Sequence, residues 1–378
     1  MSAGIDTPEG ELILDDHKLG WHYERVAAWA AGERIAPVSV DMALSRGCTA
    51  SCKFCFAMMQ ESQERPNIKT NAALHLLDDF KSIGIKSVSL ISDGESTLSK
   101  AYVPFIQHAH SLGLDVGNGT NAWEWEPEKI EQVLPYLTWV RFTVAAGRPA
   151  SYADIMFKGP EHTDVFDRAM DHISYAVALK KRKGLNVTLG IQMVLMPQFK
   201  DEILPFAQLA LDLGVDYGVI KHVSDDEGGT LGVDYSAFDA LHPLLQQAEA
   251  MSNETTKIIV KWDKIKSITT PYSRFYGPQF LLQISGSGLV APSGMFFNAK
   301  YSKLHIGNFT EERFIDMWKS GRYWRAMDYL ASEKFDAKTM MGTLPIQYYV
   351  SKALDEHKKG IKMIQPATGP EPLHVNFL

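Results

Sequence analysis

The chain has 378 residues, 45% of them hydrophobic and 22% charged, with a formal net charge of -7. That balance is globular, and the length suits two domains or one barrel-sized domain with an appendage. The acidic charge excludes a generic polyanion binder. No apolar run approaches the roughly 20 residues that span a bilayer, and the polar, acidic residues 1–11 do not read as a secretory signal.

In chain order, a helical lead-in at 22–31 is followed by a β/α rhythm. Short β-branched or apolar runs predict strands at 37–44, 86–91, 114–118, 138–144, 186–194 and 216–223, each bounded by Gly, Asp or Asn. Apolar residues at helical spacing predict helices at 71–83, 102–112, 165–183 and 201–213. Alternation of this kind requires parallel strands joined by right-handed crossovers. The fold class is therefore α/β, and six units predict a partial (β/α)6 TIM-like barrel; a doubly wound sheet is the alternative. In both, ligands gather at the carboxyl ends of the strands.

This divides the chain into a lead-in at 1–36, a core at 37–225 and a smaller α+β extension at 226–378. The extension carries β-like pieces at 257–262 and 280–285, a Gly/Ser-rich turn at 285–288 and helices within 311–330. The Pro-containing tail, 365–378, is expected to lie extended over the surface. The basic run from Lys180 to Lys183 reads as a solvated helix end. Lys257, Lys261, Lys264, Lys266 and Arg274 around Trp262 read as an amphipathic surface, with a local basic groove as the alternative.

The three cysteines, Cys48, Cys52 and Cys55, lie within eight consecutive positions after the first core strand. Clustered thiols without partners elsewhere argue against a disulfide framework and for a reducing, cytoplasmic setting. A structural zinc or cubane iron–sulfur site normally takes four protein ligands. Three thiolates therefore either borrow a histidine, as in a Cys3His zinc-binding module, or leave one metal open for chemistry.

Cys-x3-Cys-x2-Cys with Phe54 before the last cysteine resembles the signature of the radical S-adenosylmethionine (SAM) superfamily. The resemblance implies that the three thiolates hold one [4Fe–4S] cluster, whose fourth iron is chelated by the amino and carboxylate groups of SAM. An external one-electron donor, flavodoxin- or ferredoxin-like, would then drive cleavage of SAM to a 5′-deoxyadenosyl radical that abstracts a substrate hydrogen. Gly94 and Glu95 match the family's Gly-Gly-Glu motif for the SAM amino group, with Asp93 in place of the first glycine. Thr120 and Asn121 resemble its ribose-side loop, with Ala122 where glycine is usual. Thr143 and Gln192, on the fourth and fifth strands, complete the implied SAM pocket. Lys221 and His222 end the sixth strand and are the catalytic candidates. Arg148, Tyr152 and Lys158 could bind an anionic substrate group, with surface solvation as the default.

The extension resembles the SPASM/twitch domain of radical SAM enzymes. Cysteines expected near Phe275, Ser293, Met341 and Pro345 are absent, so no thiolates remain for an auxiliary cluster, and redox-neutral chemistry suits the chain. Tyr152 to Met156, Ile220 to Glu227 and Pro372 to Phe377 are similar to radical SAM proteins of phage thymidine hypermodification. That resemblance implies a modified nucleobase in viral DNA as partner, a host-cytoplasm location and a role in evading restriction. The reaction it implies is isomerisation of an N-linked to a Cα-linked glycinyl thymidine. The alternatives are a peptide-modifying, or a sugar or small-metabolite, radical SAM enzyme.

Overall fold

A computed structural model shows where the β/α alternation leads; it describes residues 5–7, 10–55, 68–157, 159, 164–226, 228–266, 272–337 and 347–378. Its strands are β1 (Ile5–Thr7), β2 (Gly10–Leu12), β3 (Ser39–Met42), β4 (Ser87–Leu90), β5 (Asp115–Thr120), β6 (Trp139–Thr143), β7 (Thr188–Leu195), β8 (Tyr217–His222), β9 (Lys257–Val260), β10 (Leu281–Ile284), β11 (Leu289–Ala291) and β12 (Gly307–Asn308). The helices are α1 (Tyr23–Ala30), α2 (Thr70–Ile83), α3 (Tyr102–Ser111), α4 (Pro127–Val133), α5 (Pro149–Phe157), α6 (Asp164–Lys183), α7 (Ile203–Leu213), α8 (His242–Ala250), α9 (Trp262–Lys266), α10 (Phe314–Lys319), α11 (Gly321–Leu330) and α12 (Tyr348–Lys358). No described helix is long and apolar enough to cross a membrane.

Apart from a β1–β2 hairpin, the described strands form one sheet in the order β12-β11-β10-β3-β4-β5-β6-β7-β8-β9. Strands β3 to β9 run parallel. The two β-like pieces of the C-terminal region join this sheet at opposite sides: β9 pairs parallel with β8, and β10 pairs parallel with β3, Leu281 opposite Ser39. Asp41 on β3 and Lys221 on β8 are five strand spacings apart, roughly 24 Å if the sheet were flat. Their charges nevertheless act on each other, so the sheet curls into a partial barrel.

Strand periodicity divides the two faces. Val40, Met42, Val88, Leu90, Val140, Phe142, Leu189 and Ile191 point outward into the main apolar core under the helices. The alternate residues, among them Asp41, Ser89, Arg141, Gln192 and Lys221, turn to the concave face. The core thus lies between sheet and helices, and the polar side chains face the interior.

The tail departs from its sequence reading. Its last residues enter the amino-terminal mouth of the partial barrel instead of lying on the surface. Ser87 Oγ donates to Asn376 O (2.6 Å), and His374 Nε2 meets Thr188 Oγ1 (2.9 Å). Phe377 packs edge-on against Trp139. Lys18 Nζ donates to His374 O (2.9 Å) and Phe377 O (2.8 Å). Lys18→Met would leave both carbonyls without this donor, at an expected cost of roughly 1–3 kcal/mol. Urea unfolding should register that loss and limited proteolysis should release the tail; unchanged stability and protection would contradict the plug.

Candidate functional site

The cysteine loop follows β3 and is held from beneath by the end of α5. Ser51 N donates to Met156 O (2.8 Å) and Lys53 N to Ile155 O (2.9 Å), while Lys53 Nζ pairs with Asp154 (2.7 Å). Cys52 Sγ lies 3.6 Å from Met156 Sδ. The stretch Tyr152 to Met156 therefore supports the ligand loop, a role that sequence reasoning missed. Its signal was Pro149 opening a run with apolar residues at Tyr152, Ile155 and Met156, the spacing of a buried helix face.

Glu95 joins the loop after β4 to the loop after β5. Its Oε1 accepts from Thr97 Oγ1 (2.9 Å) and its Oε2 from Asn121 N (2.9 Å). Asn121 Nδ2 donates to Thr49 Oγ1 (3.0 Å) and reaches Cys48 Sγ at 3.8 Å. Thr120 Oγ1 accepts from Ala122 N (3.0 Å), and Ala122 takes φ 64°, the left-handed conformation usually filled by glycine. Gly94 has φ 152°, and a Cβ there would sit 1.9 Å from Ser45 O. The structure thus brings Cys48, Cys52, Cys55, Gly94, Glu95, Thr120 and Asn121 together.

Burial raises the Cys48 thiol to about 11, reinforced by the Glu95 carboxylate, and raises Cys52 through burial and its neighbouring cysteines. Glu95 is also raised, by burial first, although its hydrogen bonds oppose the shift. Burial thus disfavours the anionic forms of these groups, and a cation beside them would favour ionisation, which suits iron at the sulfurs and an ammonium at Glu95. A tetrahedral zinc site needs ligands converging on one point, whereas a cubane takes its thiolates at separate iron corners. The donor set fits the cluster.

Thr143 and Gln192 are register partners on β6 and β7 and face the interior, where Gln192 Oε1 is buried without a hydrogen-bond partner. Lys221 faces the same space. His222, paired with it as a catalytic candidate, is on the opposite face of β8. Its ring packs against Tyr235 and Phe238, with Nδ1 at Val223 O (2.5 Å) and Nε2 at Lys264 O (2.9 Å). The strand's alternation carries it away from the concave face.

Burial, aided by Lys264, lowers His222 to about 3. The unfolded ring titrates near 6.5, so the unfolded state binds more protons between these values, and the neutral ring's contribution is lost as pH falls through that window. His222→Phe should flatten the fall in unfolding free energy between pH 6.5 and 4 relative to the wild type. Equal slopes would contradict this reading.

Arg148 is engaged by Glu202 (Nε to Oε1, 2.7 Å) and Asp201 O, Tyr152 is buried beneath the cysteine loop, and Lys158 lies outside the described residues. Asp93 ties three loops together. Its carboxylate accepts from Ser285 Oγ (2.6 Å) and Gly286 N (2.7 Å) and pairs with Arg46 Nε (3.1 Å). The Gly/Ser-rich turn at 285–288 is thereby fixed against the cysteine and Glu95 loops.

Residues 42–210 match the family model of the Radical SAM superfamily. An S-adenosylmethionine-dependent nucleotide dehydratase from Flammeovirga pacifica is 26% identical over 118 residues, 30% of this chain and 40% of that protein. The chain's match thus spans well under half of that relative. Streptococcus suis SuiB bound to S-adenosylmethionine superposes with a TM-score of 0.62 at 16% identity, covering 82% of this chain and 72% of that one. Native anSMEcpe with bound AdoMet gives 0.54 at 12% identity, covering 87% and 98%. At such identities these likenesses speak for the fold, and they reach beyond residues 42–210 into the C-terminal region. Residues 42–210 are a radical SAM domain, of the superfamily whose enzymes work with a [4Fe–4S] cluster and S-adenosylmethionine.

Proposed function

We propose that this radical SAM enzyme performs a redox-neutral rearrangement on a nucleotide-bearing substrate, and specifically isomerises an N-linked to a Cα-linked glycinyl thymidine in viral DNA. The observation that carries the redox-neutral part is the cysteine count. Cys48, Cys52 and Cys55 are the only cysteines in the chain, so once they hold one cluster no thiolate remains for a second that could take up a substrate electron. Bound together, cluster and SAM supply a radical that removes a hydrogen atom from an unactivated carbon. Within the chain, Glu95 accepts the SAM amino group, Asn121 fixes Glu95 against the cysteine loop, and Gln192 offers an unpaired acceptor to the pocket. Lys221 orients the substrate from the end of β8.

In the proposed isomerisation a hydrogen leaves the glycine Cα, the thymine methylene moves from nitrogen to that carbon, and a hydrogen returns. No atoms or electrons are gained or lost. The external one-electron donor would supply the electron for each SAM cleavage and, because the abstracted hydrogen stays in 5′-deoxyadenosine, a second electron that with a proton gives the returning hydrogen; the balance holds for the substrate itself. A second reading, dehydration of a nucleotide, is favoured by the Flammeovirga pacifica relative and shares the nucleotide-bearing substrate. Reduced, reconstituted protein should form 5′-deoxyadenosine with DNA containing N-linked glycinyl thymidine, ahead of free nucleotides or a leader peptide. Turnover of a free nucleotide with loss of water would favour the dehydratase, and turnover of peptide alone would overturn both.

A further inference from the structure

The concave face of the sheet holds more positive than negative side chains. Arg141 on β6 and Lys221 on β8 face it, and Lys261, which follows β9, and Lys264 on α9 act on Lys221 from the same space. Lys18, at the plugged end, feels Lys261 and Arg141 in turn. The acids facing these cations are Asp41 on β3 and Asp15, the latter backed from outside by Asp263. Arg141, Lys221, Lys261 and Lys264 thus share this space with Asp15 and Asp41, and burial disfavours the charged forms of the three lysines and of both acids.

Among the described residues Lys221 Nζ has no hydrogen bond or ion pair, and Asp41 Oδ2 is buried without a partner although Lys221 and Arg141 both act on it. In a sealed core such groups would meet, because an unpaired buried charge is costly. Lys221, Arg141, Lys261 and Lys264 are all partly exposed. The Arg141 guanidinium lies 5.1 Å over the Trp139 ring, which fixes its plane. Gln192, on the neighbouring β7, adds another side chain at the same face.

We infer that this interior is a subsite for a phosphoryl group of the substrate, with Lys221 and Arg141 as its open donors. Basic side chains outnumber acidic ones around this space, which suits an anion, and Arg141 offers the planar fork that phosphate oxygens accept. The inference rests on the nucleotide-bearing reading and names the part of the substrate that the chain grips. Lys221 thereby gains a positioning role, and the surface reading of Lys261 and Lys264 gives way to an inward one.

Binding to the reconstituted full chain, measured by calorimetry at constant ionic strength, tests this without turnover. Inorganic phosphate, thymidine 5′-monophosphate and a short thymidine oligonucleotide are compared with acetate and thymidine. Phosphate and at least one phosphorylated ligand should bind about tenfold or more tightly than acetate or thymidine. Preference for the mononucleotide points to a terminal phosphate, and preference for the oligonucleotide to a strand diester. Lys221→Met and Arg141→Met should each weaken phosphate by about tenfold or more at unchanged iron content, while Lys183→Met should not. Acetate binding as well as phosphate, or phosphate binding unaltered in both variants, would overturn the subsite. If a variant fails to retain iron, displacement of phosphate by equimolar acetate in the wild type decides against it, and resistance to displacement for it. Retained phosphate binding without isomerisation would refute the isomerase reading alone.

Discussion

Replacing Asp93 by alanine is expected to destabilise the protein by about 3–5 kcal/mol, the cost of breaking a buried ion pair by removing one partner. Asp93 is 5% exposed and serves Arg46, Ser285 and Gly286 at once. Burial raises its pKa, and Ser285, Gly286 and Arg46 pull it back. Without the carboxylate, the Gly286 amide loses its acceptor. The loops it joins have no slack: a Cβ at Gly94 would lie 1.9 Å from Ser45 O, and one at Gly286 2.4 Å from Ser45 C. Loosening this joint should therefore weaken SAM binding as well as the fold. Asp93→Asn, which keeps an acceptor but not the charge, should fall between. Urea unfolding checks the order; an alanine variant within about 1 kcal/mol of the wild type would show that the clamp is incidental. The Asp93 carboxylate thus fastens the C-terminal region to the site.

The second large effect belongs to the cysteines. Cys48→Ser, Cys52→Ser and Cys55→Ser should each reduce iron from about four per chain to near zero after anaerobic reconstitution, and should bring 5′-deoxyadenosine formation to background. No other thiol in the chain can substitute, and a serine hydroxyl is a poor ligand for iron beside soft thiolates. Far-ultraviolet circular dichroism should stay unchanged, because the loop is fastened through backbone bonds to Ile155 and Met156 and not through the sulfurs. Iron retained in any of the three variants would contradict the ligand assignment.

The strands of the core were legible because each writes its own signal: β-branched residues in short runs, bounded by turn residues. All six expected core strands are present, with ends shifted by a few residues. The cysteine loop and Glu95 were legible because ligand chemistry demands those residue types at close spacing. What escaped were relations between distant segments. The pairing of Leu281 with Ser39 spans most of the chain, and nothing local in the run around β10 names its neighbour. The tail's apolar and polar residues find their partners only once the barrel mouth exists. Lys261 and Lys264 read as surface because lysine is usually solvated, and only the curl of the sheet turns them inward. His222 is different: two consecutive strand residues point to opposite faces, so pairing it with Lys221 in one site ran against a rule already visible in the sequence.

The central claim is a single-cluster enzyme whose substrate neither gains nor loses electrons overall. The mass of the product formed alongside 5′-deoxyadenosine tests it most directly, in reduced, reconstituted protein supplied with SAM and glycinyl-thymidine DNA. A product of unchanged mass is predicted; a product lighter by two hydrogens would contradict it.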